Sequence, residues 1–130
     1  MKQVIFDCDC TAGIPGYPMD DALALFYLLG RPKSAKILGV CCTFGNSSAD
    51  AVFSATKQIL LETGQDNLPV LAGANAEEKP ISDAARFIVE QVNSAPGEIS
   101  VVAVGSLTNL YGAFLLDPHI FEKIKEIVLM

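Results

Sequence analysis

Val4-Ile5-Phe6-Asp7-Cys8-Asp9-Cys10-Thr11 is the stretch on which the fold turns; Met19-Asp20-Asp21-Ala22 follows it after a Gly/Pro-rich segment. Three consecutive apolar residues without alternation read as a strand buried on both faces. Such strands belong to parallel sheets covered by helices on two sides. Asp7 and Asp9 then sit at the carboxyl end of a strand. There they could act as a nucleophile with its acid/base partner, or as part of a carboxylate cage for a hard cation.

The rest of the chain supports a layered α/β architecture. A helix is predicted from about Asp20, with Ala22, Leu25, Phe26 and Leu29 on one face and Gly30 and Pro32 ending it. Residues 37–42 read as a second strand. Ser47 is the expected N-cap of the next helix, with Asp50 as a capping-box-like partner and Gly64 as its stop. Residues 69–72 form a short third strand. Ser82 opens a helix with Ala85, Ile88, Val89 and Val92 on one face, terminated by Pro96-Gly97. Residues 100–104 give a fourth strand, Leu107, Leu110, Tyr111 and Phe114 stripe a further helix, and Asp117-Pro118 starts another. Residues 126–130 are a fifth strand pattern, expected at a sheet edge or within a larger domain. The alternation implies a three-layer, mostly parallel, Rossmann-like sheet with helices on both faces, and residues 1–130 read as one domain.

Composition narrows the function. With 51% hydrophobic and 18% charged residues the chain can bury a sizeable core. A net charge of −6 argues against nucleic acid or an anionic membrane surface as partner, since both need a positive footprint. No apolar window has membrane-spanning length and no signal-peptide pattern opens the chain, so a cytoplasmic protein is expected. Adjacent Cys41 and Cys42 would face opposite sides of a strand, poor geometry for zinc. Cys8 and Cys10 share a face, but small buried hydrophobes describe all four cysteines better than a thiol or metal role.

In doubly wound sheets ligands bind beyond the carboxyl ends of the strands, where the polar residues of this chain collect. Capping and the helix dipole would explain Asp20-Asp21 alone, worth about 1 kcal/mol. Four aspartates within fifteen residues are harder to explain so, because converging carboxylates repel unless protons or a cation neutralise them. Oxygen ligands of this kind suit Ca²⁺ or Mg²⁺. Asn46 serves equally as a turn residue or as an amide for a sugar hydroxyl. Asn109 reads as an early-helix polar residue and His119 as a surface residue. Thr11 and Ser106 lack the partners that would make them nucleophiles.

Taken in order, Asp7-Cys8-Asp9, residues 19–25 (MDDALAL), residues 43–46 (TFGN), residues 104–109 (VGSLTN) and residues 126–130 (EIVLM) resemble the inosine-uridine-preferring nucleoside hydrolase family. The resemblance runs the length of the chain and is far more specific than any single motif. It implies hydrolysis of the N-glycosidic bond of ribonucleosides by a Ca²⁺-activated water. By position, Asp9 resembles the metal ligand that also serves as catalytic base, Asp21 a second metal carboxylate and the Val104 carbonyl a further ligand, with Asp7 an additional candidate. Asp20 and Asn46 are similar to the residues that hold the ribose. The resemblance also implies a homo-oligomer.

Two features depart from the family pattern. The segment from Cys10 to Met19 is longer than the usual turn, which changes the register of Asp9 against Asp21. Family members are also more than twice this length, and their second half supplies another metal aspartate and the groups that bind and protonate the base. Little turnover by the isolated chain is therefore expected. The opening motif also resembles the haloacid-dehalogenase-like phosphatases, with Asp7 as phosphoryl acceptor, Asp9 as acid/base and Mg²⁺ as the metal, although that family's later acidic pair and lysine are not recognisable. A third reading is a fragment that binds metal or ribose without turnover.

Overall fold

The structure is a computed structural model describing residues 1–130. Ten elements alternate along the chain: β1 (Lys2–Cys8), α1 (Asp20–Leu29), β2 (Ala35–Cys42), α2 (Ala49–Glu62), β3 (Val70–Leu71), α3 (Asp83–Ser94), β4 (Ile99–Ala103), α4 (Thr108–Leu116), α5 (Ile120–Lys123) and β5 (Glu126–Leu129). The strands form a single five-stranded sheet, order β3-β2-β1-β4-β5, and every pairing is parallel. Phe6 of β1 lies opposite Val40 of β2 and Val102 of β4.

The non-alternating opening strand has the expected explanation. Ile5 packs on one side with Cys41, Val101 and Ala103 against Ile88 and Val92 of α3 and Leu110 and Ala113 of α4. Phe6, Cys8 and Val40 pack on the other with Ala22 and Leu25 of α1 and Leu60 of α2. Ile5 and Phe6 are completely buried. Each such side chain contributes about 1.5–3 kcal/mol of transfer free energy. Helices therefore lie on both faces, and the chain leaves β1 toward β2 but returns to β4 on its other side. That reversal opens a crevice at the carboxyl ends of β1 and β4.

Several helix ends differ from expectation. The N-cap of α2 is Ser48, whose Oγ accepts from the Ala51 amide at 3.2 Å. Ser47 instead lends its carbonyl to the Gly45 amide in the preceding turn, so no capping box forms with Asp50. Helix α1 begins after Met19 without a side-chain cap, so neither Asp20 nor Asp21 caps it. Ser82 does cap α3, accepting from the Ala85 amide. Asp117 organises the turn before α5 by accepting from the His119 amide at 3.1 Å, and the helix itself starts at Ile120.

Strand β5 lies at the sheet edge. The α4 stripe does not turn wholly inward: Leu110 is buried, whereas Leu107, Tyr111 and Phe114 stay substantially exposed. They line an apolar groove with Phe121, Ile127 and Leu129. The rings of Phe114 and Phe121 stack there at 5.8 Å.

Candidate functional site

Strand β1 carries Asp7 on the same face as Ile5 and releases Asp9 just past its end. Asp7 is fully buried. Its Oδ1 accepts from Asn109 Nδ2 at 2.9 Å, while Oδ2 has no partner. Burial pushes the Asp7 carboxyl up to about 7; the Asn109 bond opposes that rise and the nearby Asp9 charge adds to it.

Asp9 and Asp21 meet although they lie twelve positions apart in the chain. The Asp9 amide donates to Asp21 Oδ2 at 2.9 Å. The longer intervening loop is closed at its neck, where Thr11 Oγ1 donates to the Pro18 carbonyl at 2.7 Å. Gly13 and Gly16, both at positive φ, make the bends between. The departure in loop length therefore still brings the start of α1 back to the end of β1. Asp21 is buried, which raises its carboxyl to about 7, and the adjacent Asp9 carboxyl pushes in the same direction. Asp20 is exposed on the rim.

Asn46 reaches Asp9 from the end of β2. Its amide donates to Asp9 Oδ2 at 2.9 Å, and its side-chain Nδ2 donates to the Asp9 carbonyl at 3.2 Å. Two glycines allow this closeness. A Cβ on Gly45 would collide with Asp9 Oδ2, and one on Gly105 would stand 2.9 Å from the Asp9 nitrogen. Val104, at the end of β4, donates its amide to the Asp7 carbonyl at 2.9 Å. Thr43 and Ser106 share a 2.7 Å hydroxyl contact between the β2 and β4 ends.

The sequence reading of Asn109 is corrected. It does lie on the first turn of α4, as expected, but it is fully buried and not merely a polar residue of that turn. Besides Asp7 it donates to the Cys42 carbonyl at 2.9 Å, and its Oδ1 accepts from the Ala74 amide at 3.0 Å and Ser82 Oγ at 3.3 Å. Its place directly after Gly105-Ser106-Leu107-Thr108, at the β4 end, was the available signal. His119 is exposed beside Glu122. All four cysteines are free and buried, with Cys8 and Cys42 in register on adjacent strands.

The acidic grouping is thus tighter and smaller than four converging aspartates. No three carboxylates, thiols or imidazoles meet at one point. What meets is Asp9 with Asp21, backed by a sealed Asp7 with one unsatisfied oxygen. Such a pair in low dielectric holds a proton or a cation, because both members ionised would repel. Asp7, with no exposed surface, offers no approach to a phosphoryl group, so the phosphatase reading fails at its nucleophile.

Residues 4–130 match the family model described as inosine-uridine preferring nucleoside hydrolase. The chain is 30% identical to a probable uridine nucleosidase 2 of Arabidopsis thaliana, covering 99% of this chain and 47% of the relative. It is also 30% identical to an inosine-uridine preferring nucleoside hydrolase of Leishmania major, covering 99% and 48%. Among solved structures, a plant nucleoside hydrolase superposes with a TM-score of 0.83 at 25% identity, over 98% of this chain and 47% of that one. A purine-preferring ribonucleoside hydrolase from Gardnerella vaginalis shares the fold with a TM-score of 0.85 at 23% identity, over 99% and 48%. The chain spans about half the length of these relatives. With the family model matched along nearly its whole length, the chain belongs to the inosine-uridine preferring nucleoside hydrolase family.

Proposed function

We propose that this chain provides the cation-binding and ribose-binding part of a site that hydrolyses the N-glycosidic bond of ribonucleosides. The observation carrying this reading is the Asp9–Asp21 pair, brought together across a loop and secured by backbone amides at the sheet's switch point. Its hard oxygen donors and the orphaned Asp7 oxygen fit a cation of the Ca²⁺ class and suit zinc poorly. Asp9, Asp21 and the Val104 carbonyl would hold the ion, with Asp7 behind them. When bound, the cation would supply charge neutralisation and Lewis-acid activation of water.

The remaining chemistry belongs to the side chains. The amide of Asn46 fixes Asp9 Oδ2, leaving Oδ1 to accept a proton from the attacking water. Asp20, exposed beside the pair, would accept from a ribose hydroxyl. Asn46 would bind the sugar through its Oδ1 or its second Nδ2 hydrogen, the first being engaged by the Asp9 carbonyl. Carboxylates near the anomeric carbon stabilise the oxocarbenium-like sugar that forms as the base departs. No helix is long and apolar enough to cross a membrane, and the small acidic site suits a free nucleoside as partner.

The test is calorimetric Ca²⁺ titration of the chain and of its Asp9→Ala and Asp21→Ala variants, together with turnover of inosine, uridine and a p-nitrophenyl riboside. Binding that weakens at least tenfold in both variants is expected. Unchanged affinity in both would overturn the assignment. Turnover should be strongest with the riboside, whose leaving group needs little protonation.

A further inference from the structure

We propose that Asn109 is the positioning residue of this site, a buried amide that sets where the Asp9 loop stands; the inference rests on the cation-site reading above. Four segments end around it. It bonds the Asp7 carboxylate of β1, the Cys42 carbonyl at the end of β2, the Ala74 amide in the loop after β3 and the Ser82 hydroxyl that caps α3. Both Nδ2 hydrogens and both acceptor positions of Oδ1 are in use, so no rotation of the amide preserves the set.

These bonds lie directly beneath the candidate ligands. Asp7 is two residues before Asp9, and its carbonyl holds the Val104 amide. Cys42 precedes Thr43, whose amide is held by the Cys8 carbonyl and whose Cγ2 lies against Gly105. Space around the amide is closed: a Cβ on Gly73 would collide with the Cys42 carbonyl and come within 2.7 Å of Asn109 Nδ2. Asn109 thereby fixes the spacing of the β1 and β2 ends. That spacing decides whether Asn46 reaches Asp9 and whether Asp9 reaches Asp21. Residues that orient metal ligands from behind typically change metal affinity by about 10–100-fold when altered.

The experiment compares wild type, Asn109→Asp, Asn109→Ser and the exchanged pair Asp7→Asn/Asn109→Asp. Asn109→Asp keeps the shape but turns a donor into an acceptor facing Asp7 and Cys42. The exchanged pair restores donor against acceptor at the Asp7 contact. Amide hydrogen exchange is read at Asp9 and Asn46, whose N–H groups bond Asp21 and Asp9, and Ca²⁺ affinity is measured by calorimetry. Both single variants are expected to exchange at least tenfold faster at Asp9 and Asn46, with Val52 to Leu60 in α2 unchanged, and to bind Ca²⁺ at least tenfold more weakly. The exchanged pair should recover part of the lost exchange protection through the restored contact between residues 7 and 109, but not the Ca²⁺ affinity, because the Asp7 carboxyl no longer stands behind the ligands. Unchanged local exchange in folded single variants, equal acceleration throughout α2, failure of the exchanged pair to recover any protection, or unfolding of all three variants would each overturn the assignment. Wild type that binds no Ca²⁺ would sink the cation reading alone, because the exchange measurement still decides the role of Asn109.

Discussion

Replacing Asp7 with asparagine should stabilise the cation-free chain at pH 8 and leave it nearly unchanged at pH 4. Asp7 has no exposure, one hydrogen bond and one unsatisfied oxygen. Its folded-state ionisation lies at about 7 against an ordinary 3.8. The folded state therefore holds more protons than the unfolded chain between about pH 4 and 7, and stability falls as pH rises through that window. Converted at about 1.4 kcal/mol per pH unit, the displacement corresponds to about 4 kcal/mol; local relaxation and water entry reduce this, so about 2–4 kcal/mol is expected. Asparagine preserves the Asn109 contact by presenting its oxygen to Nδ2 and carries no charge. The assay is urea denaturation of both proteins in EDTA at pH 4, 6 and 8. Asp21 also titrates in this range, but it is common to both proteins and largely cancels in their difference. A stability difference independent of pH, or an Asp7→Asn variant less stable than wild type at pH 8, would refute the reasoning.

Other outcomes follow from the same geometry. Gly45→Ala and Gly105→Ala should each lower Ca²⁺ affinity at least tenfold in calorimetry, since the added methyl displaces Asp9. Proton release on Ca²⁺ binding, followed by titration in weakly buffered solution, should be clear near pH 6 and fade above pH 8, because Asp7 and Asp21 are protonated only below about 7. The apolar groove beside edge strand β5 should drive concentration-dependent association in sedimentation velocity, and Leu129→Lys should suppress it at a stability cost within about 0.5 kcal/mol.

Much of the architecture was legible because burial on two faces leaves an unmistakable pattern. Val4-Ile5-Phe6 had no alternation, and the structure divides Ile5 and Phe6 between two cores. Turn chemistry located Ser82 correctly but missed Ser48 by one residue, because Ser47 and Ser48 offer the same hydroxyl and only the Gly45 turn distinguishes them. The α4 stripe had helical period, yet period alone does not say whether the sheet extends far enough to cover it. Here β5 is the edge strand beside it, and three of the four stripe residues stay open. The site was legible as acidic residues at strand ends. The pairing of Asp9 with Asp21 across an enlarged loop was not, since it depends on the Thr11–Pro18 closure. Asn109 was least legible of all: an asparagine on a helix's first turn looks the same in sequence whether it meets water or four partners from separate segments.

The acidic site also has a thermodynamic consequence that joins its layers. Asp7 and Asp21 are carboxylates whose burial opposes their ionisation, so above pH 7 the cation-free fold carries unrelieved electrostatic strain. An amide at residue 7 would be more stable there, since it keeps an oxygen for Asn109 Nδ2 and carries no charge. A cation that binds only the folded chain reverses that balance by mass action, adding about 2.7 kcal/mol at a hundredfold excess over its dissociation constant. On the cation-site reading proposed above, that strain would favour a ligand that supplies positive charge to oxygen. Asp7→Asn should consequently separate two properties that usually move together, being the more stable protein without Ca²⁺ and the less responsive to it. Because Asn109 retains its partners in that variant, the backbone amides around Asp9 should stay ordered, leaving charge alone as the difference.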